Sequence, residues 1–161
     1  DGHWITVNTN TANKLVKESI EHQQFPLFGG IKSFRAEVKY GEENSRIDFL
    51  LVDEQEKQVF IEVKSVTLLE GSCGFFPDAV TKRGQKHVRE LMQMKMAGHR
   101  AVLLFCVQHQ GINEVRCASH IDKEYTELVK QARNLGVEVV AFKATFTPAS
   151  LTLTHEVPVI I

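Results

Sequence analysis

The chain has few cysteines, no long apolar run and almost no net charge, and each shortage excludes a class of protein. Cys73, Cys106 and Cys117 are odd in number and lack C-x-x-C spacing, so we expect reduced thiols rather than a disulfide framework or a zinc site. No apolar run approaches the roughly 20 residues of a transmembrane helix, so we expect no membrane partner. The net charge is −1, so a nucleic-acid surface would require local clusters of charge.

The remaining composition is that of a globular domain. The 161 residues are 43% hydrophobic and 24% charged, which predicts a single domain over residues 1–161 with a substantial core. Residues 1–10 begin without Met or a signal-peptide pattern, and we expect them to be a joint to an absent N-terminal domain.

Hydrophobic periodicity predicts an α/β fold, with a mixed central β-sheet flanked by helices in the order α-β-β-β-α-β-α-β. In the first strand, Phe34, Ala36, Val38 and Tyr40 are expected to share one face. Residues 68–77 are expected to be irregular. The predicted helices run from about Ala12 to His22, from an Asp78 cap to about Ala97, and from an Asp122 cap to Leu135; the predicted strands span residues 34–40, 46–52, 59–64, 100–107, 114–117 and 137–142, with an edge strand after Pro148. The buried stripe of the second helix is expected to include Val80, Val88, Leu91, Met92 and Met96.

Three charged residues interrupt the apolar strands. Asp48 lies within the run from Arg46 to Val52, and Glu62 and Lys64 lie within the run from Val59 to Lys64. A charge inside an apolar strand is costly unless it is paired or binds a metal. These three residues are therefore the first candidates for chemistry.

The turns set the register of the three strands. If the second hairpin is centred on Gln55, Asp48 lies opposite Glu62 and Arg46 opposite Lys64. If the first hairpin turns at residues 42–43, Glu37 lies opposite Asp48. Three carboxylates can then align across neighbouring strands, with Lys64 one step along.

Clustered carboxylates repel one another unless a cation lies between them. Oxygen ligands with room for water suit Mg²⁺ or Mn²⁺, and Lys64 could orient or deprotonate an attacking water or stabilise a phosphate. The alternative is a surface ladder of ion pairs, in which Glu62 pairs with Lys64 or Arg46 and Asp48 pairs with Lys39.

Asp48 together with Glu62-Val63-Lys64 matches the D…ExK signature of the PD-(D/E)xK nuclease superfamily, although Ile47 replaces the proline. The surrounding segments resemble the sugar fermentation stimulation protein (SfsA) family over essentially the whole chain. These segments are Glu37-Val38-Lys39-Tyr40-Gly41, Ser45-Arg46-Ile47-Asp48-Phe49, Glu62-Val63-Lys64-Ser65-Val66-Thr67, Phe76-Pro77-Asp78-Ala79-Val80-Thr81 and Arg83-Gly84-Gln85-Lys86-His87.

The resemblance implies a cytoplasmic, sequence-non-specific DNA-binding protein with a restriction-endonuclease-like (PD-(D/E)xK) core. It also implies an N-terminal OB-fold-like domain, which is absent from this chain, and a role in regulating sugar metabolism, particularly maltose metabolism. The expected catalytic residues are Asp48, Glu62 and Lys64, and the expected metal-holding positions are Glu37, Asp48, Glu62 and Val63. Two functions stay open: a Mg²⁺- or Mn²⁺-dependent deoxyribonuclease, and a non-catalytic DNA-binding regulator. A homo-oligomer is compatible with the sequence.

The expected DNA contacts are basic residues that follow the third strand. Helical spacing brings Lys82, Lys86 and Arg89 onto one stripe, with Arg83 and His87 beside it. Cations of this kind bind the phosphate backbone without reading sequence. Our candidate nucleic-acid contacts are Arg46, Lys82, Arg83, Lys86 and His87. The alternative is a solvated helix face. Phe75 and Phe76 could stack on bases, but core packing is favoured for both.

Overall fold

The computed structural model describes residues 9–22, 25, 28–42, 44–147 and 150–161. The helices are α1 (Thr9–Glu21), α2 (Lys82–Met96) and α3 (Lys123–Leu135). The strands are β1 (Ile31–Tyr40), β2 (Ser45–Asp53), β3 (Gln58–Val66), β4 (Leu68–Glu70), β5 (Cys73–Phe76), β6 (Arg100–Val107), β7 (Glu114–Cys117), β8 (Glu138–Thr147), β9 (Ser150–Val157) and β10 (Val159–Ile160). No helix in these ranges is long and apolar enough to cross a bilayer.

A six-stranded mixed sheet forms the centre of the domain, in the order β1-β2-β3-β6-β8-β9. The central strands β3, β6 and β8 are parallel, and the outer pairs are antiparallel. The apolar stripe of α1 packs on one face of this sheet, and α2 and α3 pack on the other. Because both faces are covered, β6 is a nearly continuous run of buried apolar residues. The predicted sheet with helices on both sides is therefore confirmed, as is the edge strand β9.

Both predicted hairpin registers are confirmed where the strands pair, but β2 and β3 pair only as far as Phe49 and Ile61, and the predicted alignment of Arg46 with Lys64 lies beyond that point. Ala36 pairs with Phe49 and Val38 with Ile47, which brings Glu37 opposite Asp48. In the second hairpin, Phe49 pairs with Ile61, and the same register leads to Asp48 and Glu62 at the next position.

Glu37 breaks the regular alternation of β1. Its backbone has a φ of +54°, in the left-handed region that side chains other than glycine seldom adopt. As a result, Phe34 packs against the α1 side of the sheet, whereas Val38 and Tyr40 pack against the α2 and α3 side. The prediction that these aromatic and aliphatic residues share one face was wrong, because the left-handed backbone at Glu37 interrupts the alternation of side chains while the register with β2 continues unchanged.

A second, four-stranded sheet in the order β10-β7-β5-β4 lies beside the first. Its hairpin β4–β5 occupies most of the segment predicted to be irregular, so that prediction was wrong. The strands are short, and β5 is held by parallel pairing with β7 from far along the chain. Local sequence carries little signal for such pairing.

The second helix begins later than predicted. Thr81, not Asp78, is the N-cap, and its side chain accepts the hydrogen bond from the Gly84 N–H. Val80 consequently lies outside the helix and is exposed, and Met96 is exposed at the last turn; both were predicted to be buried. Val88, Leu91 and Met92 are buried as predicted.

Asp122 caps α3 as predicted and also connects it to α2. Its carboxylate accepts hydrogen bonds from the backbone N–H groups of Tyr125 and Thr81, and from the Gln85 side chain. The predicted end of α3 at Leu135 is confirmed, and Gly136 follows it in the left-handed conformation as the C-cap. The predicted joint at residues 1–10 lies mostly outside the described residues, and its last two residues begin α1.

Candidate metal and catalytic centre

Asp48 is held at the point where β2 and β3 stop pairing directly. Its Oδ2 accepts a 2.7 Å hydrogen bond from the Val63 backbone N–H, and its Oδ1 accepts a 2.9 Å hydrogen bond from Asn13 Nδ2 on α1. The side chain thus takes the place of a ladder hydrogen bond and ties together two strands and a helix. Its position is fixed from both sides.

Glu62, Lys64 and His87 form a compact cluster beside it. Glu62 Oε1 lies 2.9 Å from His87 Nδ1 and 3.3 Å from Lys64 Nζ. Lys64 Nζ is also 2.9 Å from His87 Nδ1. When Nδ1 carries its proton it donates to Glu62, and when it does not it accepts from Lys64. Either arrangement connects β3 to α2 within the protein interior.

The two carboxylates differ in their electrostatics. Burial and the neighbouring Glu62 charge raise the pKa of Asp48 to about 6. Burial acts in the same direction on Glu62, but the His87 hydrogen bond and the Lys64 charge outweigh it and lower the pKa of Glu62. The site therefore holds one firmly charged carboxylate and one that is charged at a cost.

A third carboxylate, that of Glu90, is buried close to this site. Glu90 on α2 is fully buried, accepts a hydrogen bond from the Ser45 hydroxyl, and has no partner for Oε2 among the described residues. Burial and the charges of Glu62, Glu90 and Asp48 raise the pKa of Tyr40, so this phenol stays protonated. The interior under the site is thus unusually acidic.

Asp48 and Glu62 supply only some of the oxygen ligands that a hard divalent cation needs. Glu62 Oε2 is buried and has no hydrogen-bond partner in the described part of the chain. The neighbouring carboxylate is that of Asp48, whose negative charge is disfavoured by burial and by the charge of Glu62. Glu37 is exposed and lies across from Asp48, lining the same shallow depression. Within the described ranges, no three His, Cys, Asp or Glu side chains are grouped to hold a metal. Two carboxylates would therefore need main-chain oxygen, such as the Val63 carbonyl, and water to complete a shell.

A cleft of about 580 Å³ opens beside Lys64. Its lining includes Asn13, Ser65, Thr67, Phe75 and Asp78. Polar side chains from α1, β3 and the two ends of the β4–β5 hairpin therefore line one concavity next to the charged cluster, and the hairpin itself contributes apolar residues.

The structure separates the predicted DNA contacts into two groups. Arg46, Lys82 and Arg83 are exposed, and Lys86 is half-buried. Lys82 Nζ lies 3.5 Å from a Glu124 oxygen, which neutralises part of its charge. His87 points the other way and is only 3% exposed, so it belongs to the Glu62 cluster rather than to the exposed basic face.

Sequence reasoning missed two positioning contacts. Asn13 was not a predicted site residue, because its hydrogen bond to Asp48 depends on how α1 packs on the sheet. Gln108 is fully buried and donates its side-chain N–H to the Ser65 hydroxyl. A polar residue directly after the apolar β6 run is the one local signal that could have pointed to Gln108.

The mixed sheet, the two strand-borne carboxylates and the adjacent lysine define a nuclease-like α/β domain. The family model described as "Sugar fermentation stimulation protein RE domain" matches residues 10–150. Sugar fermentation stimulation protein homologs from Pseudoalteromonas atlantica and Shewanella loihica are 51% and 54% identical to this chain. Each alignment covers 99% of this chain and 68% of the relative.

The fold also matches that of a solved structure from the same family. SfsA of Pyrococcus furiosus in complex with Ca²⁺ superposes with a TM-score of 0.90 at 28% identity, covering 98% of this chain and 67% of that one. The chain belongs to the sugar fermentation stimulation protein family. The family resemblance and the restriction-endonuclease-like fold class predicted from the sequence are thereby confirmed.

Proposed function

We propose that the domain binds DNA and hydrolyses its phosphodiester bonds with the help of Mg²⁺ or Mn²⁺. The observation that carries this proposal is the junction of β2 and β3, where Asp48 and Glu62 lie beside Lys64 and Lys64 lines an open cleft. Glu62 Oε2 is buried without a hydrogen-bond partner in the described structure, and such an orphaned oxygen is costly unless a ligand satisfies it. A divalent cation is one such ligand.

Asp48, Glu62 and the Val63 carbonyl would hold the metal, with Glu37 a predicted outer contributor. A bound divalent cation polarises a phosphoryl oxygen and makes an adjacent water more acidic. Asn13 and the Val63 N–H orient the Asp48 carboxylate. His87 orients Glu62. Lys64 lies where an ammonium can position a water for attack or donate hydrogen bonds to the phosphate as its charge grows.

Two further observations, one from a relative and one from this structure, support the proposal. The relative from Pyrococcus furiosus was solved with Ca²⁺, a hard divalent cation with the same preference for oxygen ligands. The exposed Arg46, Lys82 and Arg83, with Lys86, offer phosphate contacts that do not depend on sequence.

Incubation of the purified protein with single- and double-stranded DNA in Mg²⁺ or Mn²⁺ tests the proposal. We expect cleavage that a chelator abolishes and that falls at least about a hundredfold in Asp48→Ala and Lys64→Ala, because the first removes a proposed metal ligand and the second a cation next to the phosphate. Lys57→Ala is the matched control, since Lys57 is an exposed lysine in the β2–β3 turn. DNA that stays intact with every metal rejects hydrolysis.

A second candidate is a DNA-binding regulator that keeps the site for metal-assisted phosphate binding. It is favoured by the absence, in the described ranges, of a group of three ligating side chains. The role in sugar and maltose metabolism implied by the resemblance belongs with this candidate. Intact DNA in every metal, together with binding lost in Lys86→Glu, is its expected signature.

A further inference from the structure

Two adjacent phenylalanines on β5 have different environments. Phe76 packs into the core, with its ring centroid 5.6 Å from Phe105 and 5.4 Å from Tyr125. Phe75 is half-buried, lines the cleft, and contacts the exposed His120 ring edge-to-face at 5.2 Å. The sequence-based preference for core packing therefore holds for Phe76, whereas Phe75 presents an aromatic surface to the cleft.

The same cleft carries hydrogen-bonding groups of β3 and the residue after it. Ser65 and Thr67 both line it. The buried Gln108 donates to the Ser65 oxygen, and a hydroxyl has one hydrogen to give. Because the Ser65 oxygen is already an acceptor, its hydrogen is left to donate toward the cleft.

The charge of the cleft is unsuited to a phosphate backbone along its full length. Lys64 lines the cleft, but the exposed Asp78 lines it as well and would repel phosphates. An aromatic surface, hydroxyl donors and an acidic rim suit a neutral, flat, hydrogen-bonding group instead. A volume of about 580 Å³ lies within the range typical of small-molecule sites.

We propose that this cleft binds one unpaired nucleobase of DNA, stacked on Phe75 and hydrogen-bonded by Ser65 and Thr67, beside the phosphate that reaches Lys64. A base that is paired inside a duplex cannot enter a concave pocket without being unpaired, unstacked and extruded, which costs free energy. The preferred substrates are therefore single strands, flaps and overhangs. This inference rests on the proposed function for the phosphate next to the base, but the base pocket can be tested by binding alone.

Fluorescence anisotropy in Ca²⁺ with labelled DNA of equal length measures the preference. The wild-type protein is expected to bind a single strand more tightly than a blunt duplex. Phe75→Ala should weaken binding to the single strand about tenfold, as expected for the loss of one base–aromatic stack, and change binding to the blunt duplex less than about twofold. Lys86→Glu should weaken both, because it removes a phosphate contact.

Two further variants keep the test sharp if Phe75→Ala folds poorly. Phe75→Trp should keep or tighten single-strand binding, and Phe75→Leu should weaken it, since leucine fills space without an aromatic face. A 2-aminopurine in the single strand should be quenched on binding to the wild type and less quenched with Phe75→Leu. Equal affinities of Phe75→Trp and Phe75→Leu for the single strand would overturn the base pocket. So would an equal loss on single strand and duplex in Phe75→Ala.

The two proposals fail in different experiments. Cleavage of blunt duplexes at interior positions, unaffected by Phe75 variants, rejects the base pocket and leaves hydrolysis standing. Selective, Phe75-dependent binding of single strands without cleavage in any metal rejects hydrolysis and leaves the base pocket standing.

Discussion

Glu62 Oε1 lies 2.9 Å from His87 Nδ1, and both side chains are only about 4% exposed. This contact connects the strand that carries the candidate metal ligand to the helix that carries the candidate DNA-binding cations. The orientation of the carboxylate is therefore set by α2 as well as by its own strand.

Replacing His87 should weaken metal binding without unfolding the protein. Partners that orient a ligating carboxylate or histidine are typically worth 10- to 100-fold in metal affinity, so we expect a loss of about that size for Ca²⁺ in His87→Ala, measured by isothermal titration calorimetry. His87→Asn, which can still donate to Glu62, should lose less. His22→Gln serves as the control because His22 is exposed on α1. Unchanged affinity in His87→Ala would show that Glu62 needs no such support.

Asp48→Asn should stabilise the metal-free protein at neutral and alkaline pH. The folded-state pKa of about 6 exceeds the ordinary value of 3.8, so the unfolded chain releases its proton first as pH rises. Wild-type stability then falls between about pH 4 and pH 6, and the full penalty is present above that window. A shift of about two units corresponds to at most about 3 kcal/mol.

Urea unfolding in a chelator measures this effect. We expect Asp48→Asn to exceed the wild type by about 1–3 kcal/mol at pH 8, and by much less near pH 4, where the wild-type carboxyl is largely protonated. Adding Ca²⁺ should stabilise the wild type and leave Asp48→Asn nearly unchanged. A wild type that is more stable than Asp48→Asn at pH 8 without metal would contradict the predicted cost of the charged Asp48 carboxylate.

Gly41→Ala should be more destabilising than Gly71→Ala. Both glycines have positive φ, at +73° and +66°, and alanine there costs about 1–2 kcal/mol. A methyl group at position 41 would also overlap the Glu90 carboxylate, whereas nothing lies within 4 Å of one at position 71. Glu90 cannot simply rotate away because it is fully buried and bonded to Ser45.

The difference between the two variants isolates the overlap, since the backbone strain is common to both. We expect about 1–2 kcal/mol for Gly71→Ala and about 1–3 kcal/mol more for Gly41→Ala by chemical denaturation. In a Glu90→Ala background, the additional cost at position 41 should largely disappear. Equal losses in both variants would indicate that Glu90 adapts freely.

Asp122→Asn should show a stability cost that depends on pH. Burial raises the pKa of Asp122, but hydrogen bonds from the Thr81 and Tyr125 N–H groups and from Gln85 outweigh it and lower the pKa. A lowered folded-state pKa means that the stabilisation is present above about pH 4 and is lost as pH falls through the folded pKa. We expect Asp122→Asn to cost about 1–3 kcal/mol at pH 7.

Thermal unfolding across pH checks the sign. The gap between wild type and Asp122→Asn should narrow as pH falls below about 4, because the wild-type carboxyl becomes neutral as well. Lys123→Ala, next along the chain and exposed, is the control. A gap that widens at low pH would contradict the assigned direction.

The sequence predicted the features set by local turns and periodicity. The two hairpins could be placed because short polar turns fix the register, and the register then predicted that Glu37, Asp48 and Glu62 lie on neighbouring strands. The Asp122 cap and the Gly136 end of α3 were equally local. Each of these features depends on residues that are only a few positions apart in the sequence.

Features that depend on packing between distant segments could not be predicted. Thr81 rather than Asp78 caps α2 because its N–H is also taken by Asp122, 41 residues away. The burial of His87 follows from where α2 lies on β3, and helical spacing alone left it beside the basic stripe. Glu37 is exposed at a position with a positive φ, which no pattern of residue types in the sequence predicts.

The α2 helix has one face in the interior, with His87 and Glu90, and exposed cations, Lys82 and Arg83, at its start. Each residue of a helix is rotated by about 100° from the last. Lys82 consequently lies about 140° around the helix from His87, whereas Arg83 lies only about 40° from His87 and is exposed because it is in the first turn. An inserted or deleted residue between Lys82 and His87 would turn Lys82 by about 100° relative to the buried pair, so the length of this segment is constrained as well as its residue types.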